Sequence, residues 1–431
     1  MDNVDPNMDN TDPNTDDTDP NMDDIVPNID NYMDKIAQEW KKLSGETNWK
    51  DMLDPPSPQL RTYINHYGEM AEATYDAYIK IPQSKNAGNV RFARKNLFSQ
   101  TGLLKGRPLN QYIVTKYMYA TSALILPGTF VTSVSPQAWS KKSNWIGFIA
   151  VANDEGKKML GRRDIMVVWR GTVNQSDMIH DAEFRKVLAP KIFGLVHKDL
   201  PRIHEGWYSI YTTDDPNTRY NKISARDQAM NEIKRLVNQY RMEDISLTIT
   251  GHSMGAAVAT LNAVDICFNG LNKQSVTPPK SCPVSVFAFA SPKVGDSGFH
   301  KVFTSYKDLY CLRINNSLDL VPKYPLLGYM DVGTEMVVDT SKSTYLNGPG
   351  NPGSWHSMEN YMHCVAGTQG KKGGFKLDIK RDLSLINKFS DSLPDKHGVP
   401  HNWWNEKHLG MNQKQDGTWE MQDHEEDDNK T

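Results

Sequence analysis

A serine held between two glycines is the first chemistry the chain offers. Residues 249–261 read "ITGHSMGAAVATL", an apolar run, then Gly-His-Ser-Met-Gly, then an alanine-rich stretch. Gly-x-Ser-x-Gly at a strand-to-helix junction forms a nucleophile elbow, a strained turn that lifts a serine hydroxyl above a sheet. Gly251 and Gly255 leave room for strand and helix to approach, and Ala256, Ala257 and Ala259 keep the helix slim. The turn also aims the Met254 amide and the positive end of the helix at the reacting atoms, which favours a developing oxyanion. Ser253 is therefore the candidate nucleophile, and acyl transfer the chemistry. An idle serine in a glycine turn is the rival, and the strand–turn–helix setting argues against it.

A serine needs a base, and the base needs an orienting acid. In this architecture they follow in the order Ser, Asp or Glu, His. Asp319, in "NSLDLVPKYP", comes just after the apolar run 309–315, at the carboxyl edge where sites gather in open α/β sheets. Asp296, in "ASPKVGD", is second, and reads equally as a helix-start acid. Asp265 falls on the elbow helix, facing away, and Asp308 precedes a strand, at the wrong end of the sheet. Among the later histidines, His356 closes the loop "NGPGNPGSW" and opens a helical stretch, so it ranks first. His363, two turns along the same face, ranks second, either as base or as a core histidine beneath the site. His401 ranks third.

Those residues need a frame. Residues 57–80 carry apolar positions three and four apart, a helix signal. Strand-type runs at 145–154, 164–172, 244–250, 284–290, 309–315 and 336–339 alternate with helical stretches at 224–240 and 254–269. Several runs are apolar throughout, as expected for strands covered on both faces. The expectation is an α/β fold of the α/β-hydrolase type, with a mixed, mostly parallel central sheet.

The ends differ from the body. Residues 1–34 hold eleven Asp and neither Lys nor Arg, in a seven-residue repeat with Pro at 6, 13, 20 and 27. Proline in every unit excludes a coiled coil, and so little apolar surface cannot offset chain entropy. Residues 1–35 are expected to be a disordered acidic tail, 36–419 the folded domain, and 420–431 a second acidic tail. Without the acidic ends, the net charge of −3 becomes +13 for the body, a balance that suits an anionic lipid surface or an ordinary solvated one. There is no apolar run long enough to span a membrane and no signal or transit pattern, so a cytoplasmic location is expected. The four cysteines are scattered without a CxxC pair and read as buried thiols. No metal-ligand spacing or phosphate-binding loop is evident, so no metal, no cofactor and no nucleic-acid partner is expected.

The chain resembles the plant class 3 lipases of the phospholipase A1 type, the cytosolic class II branch of the DAD1-like acylhydrolases. The resemblance lies in "LRTYINHYGEMAEATYDAYI" (60–79), "VVWRGT" (167–172), "IHEGWYSIYT" (203–212) and "TGHSMGAAVATL" (250–261). It continues through "FASPKVGD" (289–296), "RINNSLDLVPKYP" (313–325), "WHSMENYMHCVAG" (355–367) and "VPHNWWNEKHLGM" (399–411). It implies Ser253, Asp319 and His356 as a triad, and the Thr172 amide beside that of Met254 in the oxyanion hole. It implies a lid at 173–194, able to expose Met178, Ile179 and Phe184 at a lipid surface. The implied reaction is hydrolysis of a glycerolipid ester, foremost the sn-1 ester of a phospholipid. Mono- or diacylglycerols and galactolipids are alternatives, as are acyl transfer to an alcohol and a non-catalytic lipid-binding role. Peripheral contact with a membrane surface is expected in any of these.

Overall fold

Strands that are apolar on both faces need two layers of cover, and the chain provides both. The computed structural model describes residues 29–126, 129–138, 142–172, 185–194, 199–404 and 408–422. Seven strands form the central sheet: β1 (Tyr112–Ala120), β2 (Asn144–Ala152), β3 (Arg163–Trp169), β4 (Ile245–His252), β5 (Val284–Phe289), β6 (Leu309–Asn316) and β7 (Thr334–Val338). They lie side by side in chain order. β1, β2 and β3 pair antiparallel, and every pairing from β3 to β7 is parallel. A mixed, mostly parallel sheet was the expectation.

The helices are α1 (Ile29–Leu43), α2 (Pro58–Asp76), α3 (Ala225–Gln239), α4 (Met254–Phe268) and α5 (Met358–Gly367), with shorter helices between them. α3 and α4 pack with Ile149, Val167, Leu247, Ile249 and Val286 on one face of the sheet. α1, α2 and α5 pack with Phe148, Met166, Val168, Phe287 and Ile314 on the other. Burying one such side chain contributes about 1.5–3 kcal/mol, so these two clusters hold the frame on which the site stands. α2 starts where Ser57 accepts a hydrogen bond from the Leu60 amide at 3.2 Å, with Pro58 at the first helical position. α4 is buried on every side from Met254 to Cys267, which is why it is built of Ala, Val and Leu and carries almost no amphipathic pattern.

Some elements differ from the sequence expectation. The helix α1 begins at Ile29, inside the stretch assigned to the acidic tail of residues 1–35. Its buried residues, Ile36, Trp40 and Leu43, recur at helical spacing and fall within the expected domain, so the helix starts ahead of the core it packs on. The C-terminal hairpin pairs Met411 with Met421, so residues 420 and 421 are part of a strand rather than a tail. β1 was missed. It is an edge strand whose tyrosines and lysine give a mixed burial pattern rather than an apolar run. The strand expected at 145–154 ends at Ala152, because the Asn153 side chain caps a short helix, Asp154–Leu160. Most of the expected lid, including Met178, Ile179 and Phe184, lies outside the described residues, as do residues 1–28 and 423–431.

Candidate active site

The elbow follows from two missing side chains. Ser253 has φ 58° and ψ −131°, a backbone shape that costs about 1–3 kcal/mol in a residue with a side chain. A Cβ on Gly255 would lie 2.3 Å from the Trp169 carbonyl oxygen, and one on Gly251 would lie 2.8 Å from it. The glycines thus make room for the end of the neighbouring strand β3 as well as for their own strand and helix. The Ser253 amide is fixed by the Phe289 carbonyl at 2.9 Å, which locks the turn to β5. Ser253 itself is fully buried.

Asp319 and His356, each ranked first among the later acids and histidines, meet. The His356 Nδ1–H donates to Asp319 Oδ2 at 2.6 Å. The same oxygen accepts from the Tyr361 hydroxyl at 2.7 Å, and Oδ1 accepts from the Val321 amide at 2.9 Å. Three donors hold the carboxylate in one orientation, and the carboxylate holds one imidazole tautomer. The other ring nitrogen, Nε2, is buried and has no hydrogen-bond partner among the described residues. Asp319 is 3% exposed and His356 is 2% exposed, so neither interaction is diluted by solvent.

His252, beside the serine, joins the two arms. Its ring lies 4.7 Å from the His356 ring, centroid to centroid, and its Nε2–H donates to the His356 carbonyl at 2.9 Å. Its Nδ1 accepts from the Tyr75 hydroxyl at 2.8 Å. Burial, and then the nearby His356, hold the His252 imidazole well below its ordinary pKa. A neutral His252 fits both bonds and adds no charge next to the base. Burial likewise keeps the Tyr75 hydroxyl protonated. Neither residue was singled out from the sequence. Both lie inside stretches quoted for the resemblance, but their contact spans 177 positions.

The oxyanion side is formed by α4 and the end of β3. The Met254 amide opens α4, so no helical carbonyl precedes it to take its hydrogen. Thr172 is buried just past β3, and its hydroxyl has no hydrogen-bond partner among the described residues. Gly171 is required there, since a Cβ would lie 2.1 Å from the Tyr75 hydroxyl and 2.6 Å from the His252 carbonyl oxygen. Arg170 braces this corner: it donates to the carbonyls of Trp145 at 3.0 Å and Gly171 at 2.6 Å, and lies over the Tyr78 ring at 3.9 Å. Amide donors beside the nucleophile are what an ester oxygen needs as it gains charge.

The other candidates sit elsewhere. His363 is buried against Phe375, bonded through Nε2 to the Ser343 hydroxyl at 2.7 Å, and burial followed by the Arg381 charge lowers its pKa to about 3. It is the core histidine of the two readings. His401 is exposed. Asp296 caps the helix Ser297–Thr304 through the Phe299 amide, and Asp265 is bound by Arg226 at 2.6 Å and Tyr211 at 2.8 Å.

The class 3 lipase family model matches residues 166–329, the stretch from β3 past Asp319. The phospholipase A1-II 1 of Oryza sativa subsp. indica is 49% identical over 394 residues, which are 91% of this chain and 98% of its own. The phospholipase A1-IIgamma of Arabidopsis thaliana is 48% identical over 398 residues, 92% of this chain and 95% of its own. The phospholipase A1-IIbeta of Arabidopsis thaliana is 46% identical over 388 residues, 90% of this chain and 94% of its own. The chain belongs to the class 3 lipases, in their phospholipase A1-II branch.

Proposed function

We propose that the protein is a phospholipase A1, a serine acylhydrolase that removes the sn-1 acyl chain of a glycerophospholipid. The observation that carries this reading is the Asp319–His356 pair, which leaves one buried imidazole nitrogen unbonded beside the elbow. The relatives named above add the substrate class. In this scheme His356 Nε2 takes the Ser253 hydroxyl proton as Ser253 attacks the ester carbonyl. Asp319 stabilises the imidazolium that forms, and the Met254 and Thr172 amides hold the oxyanion. His356 then protonates the departing lysolipid oxygen, and water, activated in the same way, releases the fatty acid.

Contact with a lipid surface is part of the proposal. Support comes from apolar side chains left in water near Asp319 and the lid flanks. Leu320, Leu326, Leu327 and Met330 are exposed, with Leu327 at 87%, and Leu188 and Leu200 are exposed on the segments either side. Hydrogen bonds from Lys186 to the Gly328 carbonyl and from the Met330 amide to the Gly295 carbonyl gather these segments at one edge. A cytoplasmic location is also proposed. The free, buried state of Cys267, Cys282, Cys311 and Cys364 is compatible with it, and fractionation of cells producing the protein tests it.

The test is hydrolysis of phospholipids carrying different acyl chains at sn-1 and sn-2, with the released acid identified. The sn-1 acid is expected, with kcat falling by about 10⁶-fold in Ser253→Ala. Full activity in that variant would refute the mechanism, and release of the sn-2 acid would refute the regiochemistry.

A further inference from the structure

Behind Tyr75 lies a cavity of about 450 Å³, between the end of α2, the start of α5 and residues 389–392. Tyr75 separates it from His252, and Ser357, the residue after His356, is on its wall. The cavity is thus one residue from the candidate base along the chain and one hydrogen bond from His252. Tyr75, Tyr78 and Phe389 give it aromatic walls, and Glu72, Glu359 and Asp391 are the carboxylates that line it.

Glu72 is the unusual member. It is 4% exposed, and its carboxyl has no hydrogen bond or ion pair among the described residues. Its acidic neighbours are provided for. Lys388 is 2.8 Å from Asp76 and 3.4 Å from Glu359, and Arg381 is bonded to Glu359 as well. The charges that bear on Glu72 are thus Glu359 and Asp76 against Lys388 and Arg381, two of each sign. Lys388 and Arg381 are engaged by Asp76 and Glu359, and neither is in ion-pair contact with Glu72. Burial, and then Glu359, push its carboxyl well above the usual range, which favours the protonated form until a cation is bound. A bound cation would take the place of that proton. Aromatic faces around a carboxylate are what an ammonium group selects. Lys80, exposed at the rim, holds its Nζ 5.3 Å from the Phe389 ring centroid and sets a positive charge at the mouth.

We propose that this cavity is the headgroup subsite of the lipid, and that it takes a zwitterionic phosphate–ammonium headgroup. The ammonium sits on Glu72 among the Tyr75, Tyr78 and Phe389 rings, and the phosphate sits at Lys80. A volume of this order suits such a group. A sugar headgroup would find hydroxyls on Ser354, Ser390 and Ser392, but would leave Glu72 without a positive charge. The proposal rests on the acylhydrolase reading above.

The test compares phosphatidylcholine, phosphatidylethanolamine, phosphatidylglycerol and digalactosyldiacylglycerol with matched acyl chains in mixed micelles. Each rate is divided by that of a short soluble ester on the same protein. The two ammonium lipids are expected to lead. Glu72→Gln should lower the phosphatidylcholine-to-phosphatidylglycerol ratio of kcat/KM by about 10–100-fold, the range for a charged hydrogen bond. Lys80→Glu, at an exposed position, should lower phospholipids relative to the galactolipid, and it carries the test if Glu72→Gln does not fold. An unchanged ratio in the folded Glu72→Gln protein overturns the proposal, as does a wild-type preference for phosphatidylglycerol or for the galactolipid. Calorimetry of glycerophosphocholine against the Ser253→Ala protein tests the subsite without turnover. If no phospholipid is cleaved, the acylhydrolase reading falls and the calorimetric result decides the subsite alone. Heat that glycerophosphoglycerol does not reproduce supports it, and absence of heat overturns it.

Discussion

Two buried aspartates stand at opposite ends of the sheet, and they are used in opposite ways. Asp164, near the start of β3, accepts from Tyr112 at 2.7 Å, Tyr67 at 2.9 Å, Ser246 at 2.6 Å and Thr248 at 2.6 Å, with Arg162 at 3.6 Å. Arg162 is itself bonded to the Ser246 and Tyr67 hydroxyls and to the Leu160 carbonyl. That network closes on itself and ties α2 to the sheet. Asp319, past the end of β6, is held as firmly, but its chain of bonds ends in an imidazole nitrogen with no partner. A buried carboxylate is therefore not by itself a sign of function. What separates the two is whether the last group in the network is satisfied.

The comparison can be broken at either end. Asp319→Asn should keep the fold and lower kcat by about 10⁴-fold, because an amide no longer fixes the working tautomer. Steady-state kinetics beside thermal melting checks this, and a loss of less than tenfold would remove Asp319 from the triad. Asp164→Asn should do the reverse. It strands the Arg162 charge in the core and should cost about 3–5 kcal/mol of stability, read by denaturant titration, while the folded fraction keeps its kcat. Burial alone would raise the pKa of Asp164, but Arg162 and the surrounding hydroxyls outweigh it and leave it lowered. The sign follows: the wild type holds its full advantage above about pH 4, the unfolded value, and loses it as pH falls through the lower folded value. A stability gap that widens in acid would contradict this. The smallest effect is expected at His363, whose second nitrogen is satisfied by Ser343. His363→Leu should cost about 1–2 kcal/mol of stability and leave kcat/KM within about threefold. A collapse of activity without unfolding would move the base from His356 to His363.

How far the sequence could be read depended on how local each cause was. The elbow was legible because its glycines, serine and small helix residues are contiguous. Asp319 was legible because it sits just beyond a strand end, which an apolar run marks, and His356 because it closes a glycine- and proline-rich loop and opens a helix. Thr172 stood out only through the resemblance, since Arg-Gly-Thr carries little information alone. His252 sat inside the quoted motif and was still missed, because its meaning lies in Tyr75 and in the His356 carbonyl, far away in sequence. β1 was missed because an edge strand needs no apolar run, and the start of α1 because the repeat pattern overlaps its first turns. The reason for the elbow glycines also changed: the end of β3 presses on them.

The sheet is laid down in chain order, and this has a consequence for the timing of synthesis. The nucleophile emerges after β4, the acid after β6 and the base only after β7. At about 5–20 residues per second, a growing chain would carry the serine for roughly 5–20 s before the histidine leaves the ribosome. During that interval the elbow has no base. A lipid-cleaving enzyme assembled in this order stays harmless until most of its chain exists, and a chain broken off before residue 356 lacks its base.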